Sequence, residues 1–332
     1  MKKTLLVVVL SIFVSSFLLT GLANSADTEI ILGGGSATGN SKVVVTAIAK
    51  IISENVPGVR ATGAVCPGFD AESALLTHKG IMHGGVGTPI ILKNAVNGID
   101  PFPKEGVKLS FWFYHNDLPL NFLALKSEGI TKISELKGHK VGLAPPGTSN
   151  YILAADIIFP AHGVNVGDYK VEYMNTSAAI NKLKDGHIDA MGHTRAYSGA
   201  VLEMTMARDM VLLQPDLDKL DGVIKEYPWI RPEKWPFTKQ YPLLTVPEPG
   251  MAFIIPEFMY LSSTLSDDLV YQMTKAVFEH VDVIQNSSVV FKTVTLERAL
   301  AKVPIEPHPG ALRYYKEMNV PGWEKYAYLL EK

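Results

Sequence analysis

Cysteine is almost absent: Cys66 is the single one in 332 residues. No intrachain disulfide can form, so hydrophobic burial must hold the fold together. A basic run, or basic residues interleaved with aromatics, is also missing, which removes nucleic acid as a natural partner. No G-x-S-x-G nucleophile elbow occurs. His78 and His83 stand five apart with no carboxylate at helical spacing, so no metal site is expected. Asp185 and Asp189 flank the turn Gly186-His187 rather than sharing a helix face, which argues against a carboxylate pair for acid–base chemistry. Neither a cofactor nor a catalytic group is therefore expected.

A membrane-spanning run is lacking too. The longest apolar stretch, Leu5 to Leu19, is interrupted by serines and falls short of the ~20 residues a spanning helix needs. Lys2 and Lys3 precede it, and the small residues Ala23 and Ser25 follow. This order reads as a secretory signal peptide, residues 1–25, cleaved after Ser25, with a retained anchor as the alternative. No cysteine lies near the cleavage point to carry a lipid. The expected product is an exported, periplasmic, soluble monomer. Losing both lysines takes the formal charge from −2 to −4. What remains is long enough for two domains at ~100–200 residues each.

What is present alternates between strand and helix patterns. Glu29 to Leu32 is strand-like, and Val44, Ile48, Ile51 and Ile52 share one face of a helix ended by Pro57-Gly58. Residues 59–66 form a second strand, Asp70 can cap a helix through Thr77, and the glycine-rich strand 80–87 leads into another helix. This βαβα order implies a mostly parallel sheet. Residues 109–126 are β-rich, but Pro119 lies among them and argues against one continuous central strand. A strand pair is expected there, or a strand that leaves one sheet and enters another.

A second unit follows: a strand-turn-helix over 140–164, a strand at 169–174, a helix capped by Thr176 or Ser177 and stopped at Gly186, a strand at 187–193, and a helix at 196–207. Residues 216–249 are rich in proline and aromatics and read as an irregular excursion, of a length uncommon in loops without a function. Its Tyr227, Trp229, Trp235, Phe237 and Tyr241 are expected to pack, with one or two reaching a cleft as a lid. Strand 251–258, a helix capped by Ser266 and an amphipathic helix after Pro309-Gly310 close the chain. The expected architecture is two α/β lobes, 26–115 with 248–332 and 116–247. Two crossings, near 113–118 and 246–252, join them around a hinged cleft.

The stretch GGGSATGNS, Gly33 to Ser41, falls between a strand and a helix. From Gly34 it lies one residue away from the phosphate-cradling G-x-x-x-x-G-K-[ST], with Asn40 in the place of the lysine. An exported protein meets no useful ATP pool, so a nucleotide is not expected. What is left is a helix N-terminus, with unpaired N–H groups and a partial positive charge of about half a unit, which suits an anion. Ser36, Thr38 and Gly39 belong to this turn, Thr88 to GVGTP, and Thr148 and Ser149 to PPGTSN. Ordinary helix capping accounts for such hydroxyls equally well, and the two uses are compatible. Arg195 follows the strand 187–193 at the edge where α/β sheets bind ligands. There it could grip a carboxylate, sulfonate or phosphonate with two parallel hydrogen bonds, or serve in a surface or interdomain ion pair.

Over nearly all of the exported chain the sequence resembles the TAXI family, the solute-binding proteins of tripartite ATP-independent periplasmic (TRAP) transporters. GGGSATGNSKVVVTAIAKII resembles the family's opening G-T-G-S-x-G segment. ISELKGHKVGLAPPGTSN is similar to S-L-x-D-L-K-G-K-x-V-x-x-G-x-P-G-S, and LKDGHIDA to L-K-x-G-x-I-D-A. TLSDDLVYQMTKAVFEH and PIEPHPGALRYYKE resemble its closing signatures. The resemblance implies a type II periplasmic-binding fold, two α/β lobes joined by two crossover strands with a ligand cleft between them. It implies a protein that captures a small organic anion, a carboxylate, and hands it to a TRAP-type permease docking on the lobe surfaces beside the cleft. ABC-linked and sensory binding proteins share some of these motifs and remain alternatives, with a periplasmic enzyme on the same fold as the last.

By this resemblance Ser36 and Thr38 match the first loop, and Gly147, Thr148 and Ser149 the second. Gly87 and Thr88 stand where the family often has glutamine and serine. Met191 to Ala196, including Thr194 and Arg195, replaces an apolar run. The resemblance implies glutamate or a related organic anion as the ligand, but these departures point away from glutamate, toward a differently shaped or more strongly anionic solute.

Overall fold

The computed structural model describes residues 28–331 except 38, 196–198, 236–239 and 242, and it describes the backbone but not the side chains of 193–195. The expected leader, residues 1–25, and Phe237 lie outside the described residues. Strands β1 (Thr28–Gly34), β2 (Val59–Val65) and β3 (Gly84–Gly87) alternate with helices α1 (Asn40–Asn55), α2 (Phe69–His78) and α3 (Pro89–Val96). β1 pairs in parallel with both β2 and β3. After the long β4 (Leu109–Leu125) comes the second unit. β5 (Lys140–Leu143) leads into α4 (Ser149–Tyr151), which runs on as a π-helical stretch, Ile152–Ile158, into α5 (Phe159–Ala161). β6 (Lys170–Tyr173), α6 (Thr176–Asp185), β7 (Ala190–Arg195) and α7 (Gly199–Ala207) follow, with β5 parallel to β6 and β7.

The segment 216–249, expected to be irregular, holds regular pieces. After β8 (Met210–Leu212) come α8 (Asp221–Glu226), β9 (Arg231–Lys234) and β10 (Leu244–Thr245). β9 pairs antiparallel with β11 (Met251–Ser262), so this stretch is tied to the sheet despite its prolines. Helices α9 (Asp267–Glu279), α10 (Val281–Ser287) and α11 (Pro309–Glu317) return to the first lobe.

Among the described residues eleven strands join one sheet, ordered β2-β1-β3-β11-β4-β7-β5-β6, with β8 beside β4, β10 beside β8 and β9 beside β11. The two ends are parallel; β11 and β4 between them are antiparallel to each other and to their outer neighbours β3 and β7. β4 is a single strand of 17 residues, in which Asp117 alone is not buried. The expected strand pair is therefore replaced by one strand that serves both lobes. Pro119 pairs with Ile254 of β11, and among the described residues no second strand pairs with it, since the β7 pairing is described from Leu120 onward. A missing N–H on the unpaired side costs no ladder bond.

Separate cores follow from this layout. One gathers α1, the first half of β4, α9 and α11 through Ile48, Trp112, Val277 and Tyr315. Two others, around Phe122, Phe159 and Phe253 and around Leu183, Met204 and Trp235, fill the second lobe. The packing changes over between Leu118 and Leu120 on β4 and between Ile255 and Phe258 on β11. Glycines set the spacing in the first lobe. A Cβ on Gly33 or Gly85 would lie 2.2 or 2.3 Å from Ser73 Oγ, which hydrogen-bonds the Tyr260 hydroxyl at 2.7 Å. The bare strands thus let α2 pack against them and bury this polar pair. Asn175, rather than Thr176 or Ser177, caps α6, its Oδ1 accepting from Ala178 N at 2.9 Å; Ser266 caps α9 as expected. No helix of the described residues is long and apolar enough to cross a membrane.

Candidate functional site

A cavity of about 100 Å3 lies between the lobes, at the carboxyl ends of the parallel strands. The first lobe supplies the β1–α1 loop from Gly33 to Ser41, Phe69 and Asp70 of α2, and Gly87 after β3. The second supplies Ser149 and Asn150 of α4, Thr176 and Ser177 of α6, and Val201 of α7. Leu118 of β4 and Glu257 of β11 reach it from the crossing strands.

The start of α1 carries the most available polarity. Gly39 is its N-cap, no side chain caps it, and its first turn holds no acid. Asn40 and Ser41 of this turn line the cavity. The loop packs tightly beneath: a Cβ on Gly34 would sit 2.7 Å from Lys42 Cα and 2.8 Å from the Ser41 carbonyl oxygen. Phe69 lines the cavity from a left-handed backbone, φ +58, a conformation a bulky residue adopts only when its surroundings enforce it.

Asp70 does not cap α2, as the sequence suggested. Its buried carboxylate accepts from the Thr88 hydroxyl at 3.0 Å and from the backbone N–H of Ser149 at 3.4 Å. A carboxylate of the first lobe thus lies at a helix start of the second, where an aligned dipole favours negative charge. Glu257 is buried beneath the same cavity, 3.8 Å from Nε2 of the wholly buried His115. Two carboxylates therefore line the cavity, and among the described residues no Lys, Arg or His does.

Of the residues singled out from sequence, Ser36, Gly39 and Ser149 line the cavity. Thr88 stands behind it as the partner of Asp70. Thr148 caps α4, accepting from Tyr151 N at 3.3 Å and donating to the Pro145 carbonyl at 2.8 Å. Gly147 makes the turn before it at φ +84, packed on Pro101. Thr38 lies outside the described residues. Thr194 and Arg195 end β7, paired with Asn121 and Leu120, and their side chains lie outside the description. Trp235 and Tyr241 are buried in the second lobe, and Tyr227 and Trp229 pack on it, so none of these four lines the cavity.

Sequence reasoning missed Phe69, Asp70 and Glu257 as lining groups. The dipeptide Gly68-Phe69 after a proline was the one local sign of an unusual turn. Cys66 is fully buried beside this loop, and burial pushes its thiol up to about 12. A possible metal cluster of Glu128, His139 and Asp189, with donor atoms within 4.8 Å of one another, lies at the amino end of β5, away from the cavity.

The NMT1-like family model matches residues 32–318. Among solved structures, MatC of Rhodopseudomonas palustris, determined with bound malate, is 15% identical over 90% of this chain and 98% of its own, with a TM-score of 0.54. A putative L-cystine ABC transporter protein of Listeria monocytogenes is 14% identical over 80% of this chain and 97% of its own, with a TM-score of 0.50. At such identity the likeness is one of fold: the two-lobed α/β architecture of periplasmic solute-binding proteins. With nearly the whole described chain covered by the family match, the protein belongs to the NMT1-like family.

Proposed function

We propose that the protein is an exported, periplasmic solute-binding protein that captures a small organic anion, a carboxylate, and delivers it to a TRAP-type permease. The start of α1 carries this reading. A 16-residue helix opens onto the cavity with neither a side-chain cap nor an acid in its first turn. The N–H groups of Asn40 and Ser41, which donate to no described residue, and the helix dipole can meet a ligand anion. Asp70 and Glu257 offer acceptors in the same cavity, so the solute combines an anionic end with an O–H or N–H donor elsewhere. Ligand closes lobes 26–115 with 248–332 and 116–247 about a hinge in β4 and β11, and the monomer docks through the surfaces beside the cleft. TRAP-type delivery rests on the TAXI-like motifs; delivery to an ABC permease is the second reading, favoured by the fold shared with the putative L-cystine transporter protein. No catalysis is proposed, because no histidine or lysine stands beside the lining hydroxyls among the described residues.

Native mass spectrometry of protein purified without ligand stripping tests the binding function; an intact small organic acid released on unfolding is expected. Recovery of a chemically altered product, or of a cationic solute, would overturn it. Uptake in cells is expected to collapse when the sodium or proton gradient is dissipated. Uptake that follows ATP alone would assign the protein to an ABC system.

A further inference from the structure

A groove of about 610 Å3 lies on the other face of the crossing strands from the cavity. Leu118 lines the cavity, and the strand pleat turns its neighbour Asp117 to the opposite side. There Asp117 accepts from Arg231 Nη2 at 2.8 Å and from Lys302 Nζ at 2.8 and 2.9 Å. Arg231 and Lys302 both line the groove, and so do Lys93 of α3 and Lys325. Among the described residues no Asp or Glu lines it.

Four cations around one concavity repel one another unless counter-charge offsets them. Asp117 serves two of them, and Glu233 accepts from Arg231 Nε at 2.7 Å. Lys93 and Lys325 are exposed and hold no ion pair among the described residues. Arg231 keeps its Nη1 buried without a partner. Lys302 occupies the left-handed backbone region at φ +57, where glycine is the unstrained choice. A lysine there brings its ammonium to the groove at a backbone cost. Trp229 and Tyr326 add aromatic surface for a carbon frame.

We infer that this groove is a second ligand site, separate from the cavity, for a compact organic polyanion. The volume falls within the ~300–1,000 Å3 of small-molecule pockets. The charge of the lining requires an anion, and two lysines without partners call for more than one negative charge. The site does not depend on which solute the cavity takes.

Calorimetric titration of the full chain with citrate at low ionic strength tests the site. Binding is expected, and it should weaken as sodium chloride rises, since exposed charges are screened. Lys93→Glu combined with Lys325→Glu should weaken it at least tenfold; both positions are exposed, and an unchanged melting temperature would show the fold intact. Asp70→Asn, in the cavity, should leave it within twofold. Absence of citrate binding, an unaffected charge-reversal variant, or equal sensitivity to Asp70→Asn would each overturn the proposal. A glutamate-rich peptide that bound where citrate did not would make the groove a docking surface for protein instead.

Discussion

The carboxylate of Asp70 accepts from the backbone N–H of Ser149 at 3.4 Å, joining α2 of one lobe to α4 of the other across the cavity. Hydrogen bonds to charged groups contribute ~1.5–3 kcal/mol, less where long or part-exposed. Asp70→Ala should therefore loosen the ligand-free protein. Small-angle scattering should show a larger radius of gyration than wild type, with Asp70→Asn in between, because its one amide oxygen can still accept from Ser149 N while the NH2 replaces the oxygen that accepts from Thr88. A radius unchanged in both variants would mean that the strands alone hold the lobes.

Gly34→Ala should damage the site from below. The new Cβ would meet Lys42 Cα at 2.7 Å and the Ser41 carbonyl at 2.8 Å, both backbone atoms that cannot rotate away. The start of α1 must shift, and with it the N–H groups facing the cavity. Overpacking of this kind costs ~1–3 kcal/mol. Denaturant unfolding should show that loss, and ligand affinity should fall at least tenfold. Gly58→Ala is the control: it sits at φ +69 with nothing within 4 Å of its Cβ, so strain should lower stability without touching binding.

Most of the elements were legible in the sequence because their causes are local. Hydrophobic period, glycine turns and the Ser266 cap need no distant partner. Asp70 was misread because an acid in a first helical turn looks the same whether it bonds its own helix or another lobe. Its partners beyond its own helix, Thr88 and Ser149, lie 18 and 79 residues away. Glu257 gave no sign in the apolar run MAFIIPEF, since only the antiparallel pairing of β11 with β4 brings it to Asn116 and beside His115. Pro119 argued against a continuous strand for a sound reason, but among the described residues β4 has no second neighbour at that position.

Acid should destabilise the protein through histidines that are buried, His162 and His308, or half-buried, His83. Burial is the main cause holding His83, His162 and His308 below their ordinary value of 6.5, and the nearby Asp267 offsets it only partly for His308. As pH falls through 6.5 the unfolded chain takes up protons that the folded chain refuses. Stability is then lost progressively toward the lower folded values, and it is full above about pH 7.5. His308 Nδ1 accepts from Gly310 N at 3.2 Å to cap α11. His308→Asn keeps an acceptor there without a titrating ring. Urea unfolding between pH 5 and 8 should give this variant a shallower acid-side decline; an identical slope would remove His308 from the account.

The cavity presents two carboxylates, Asp70 and Glu257, to a ligand proposed to be an anion. An anion enters such a site only if positive charge outweighs them, and a helix N-terminus supplies about half a unit. Arg195 is the cation that the strand register brings to this edge: it ends β7 opposite Leu120, two residues along β4 from the cavity-lining Leu118. A guanidinium there would hold a carboxylate by two charge-assisted hydrogen bonds, each contributing ~1.5–3 kcal/mol. Arg195→Ala should therefore weaken binding by roughly tenfold to a hundredfold or more in calorimetry, in proportion to the bonds lost. Arg195→Lys should fall between, keeping the charge without the planar fork. Thr148→Val should cost least, because Thr148 caps α4 and the backbone N–H groups remain. An affinity for Arg195→Ala within about twofold of wild type would place Arg195 on the surface or between the lobes. The α1 terminus would then have to hold the anion without it, and the two carboxylates would argue for a solute with a cationic group.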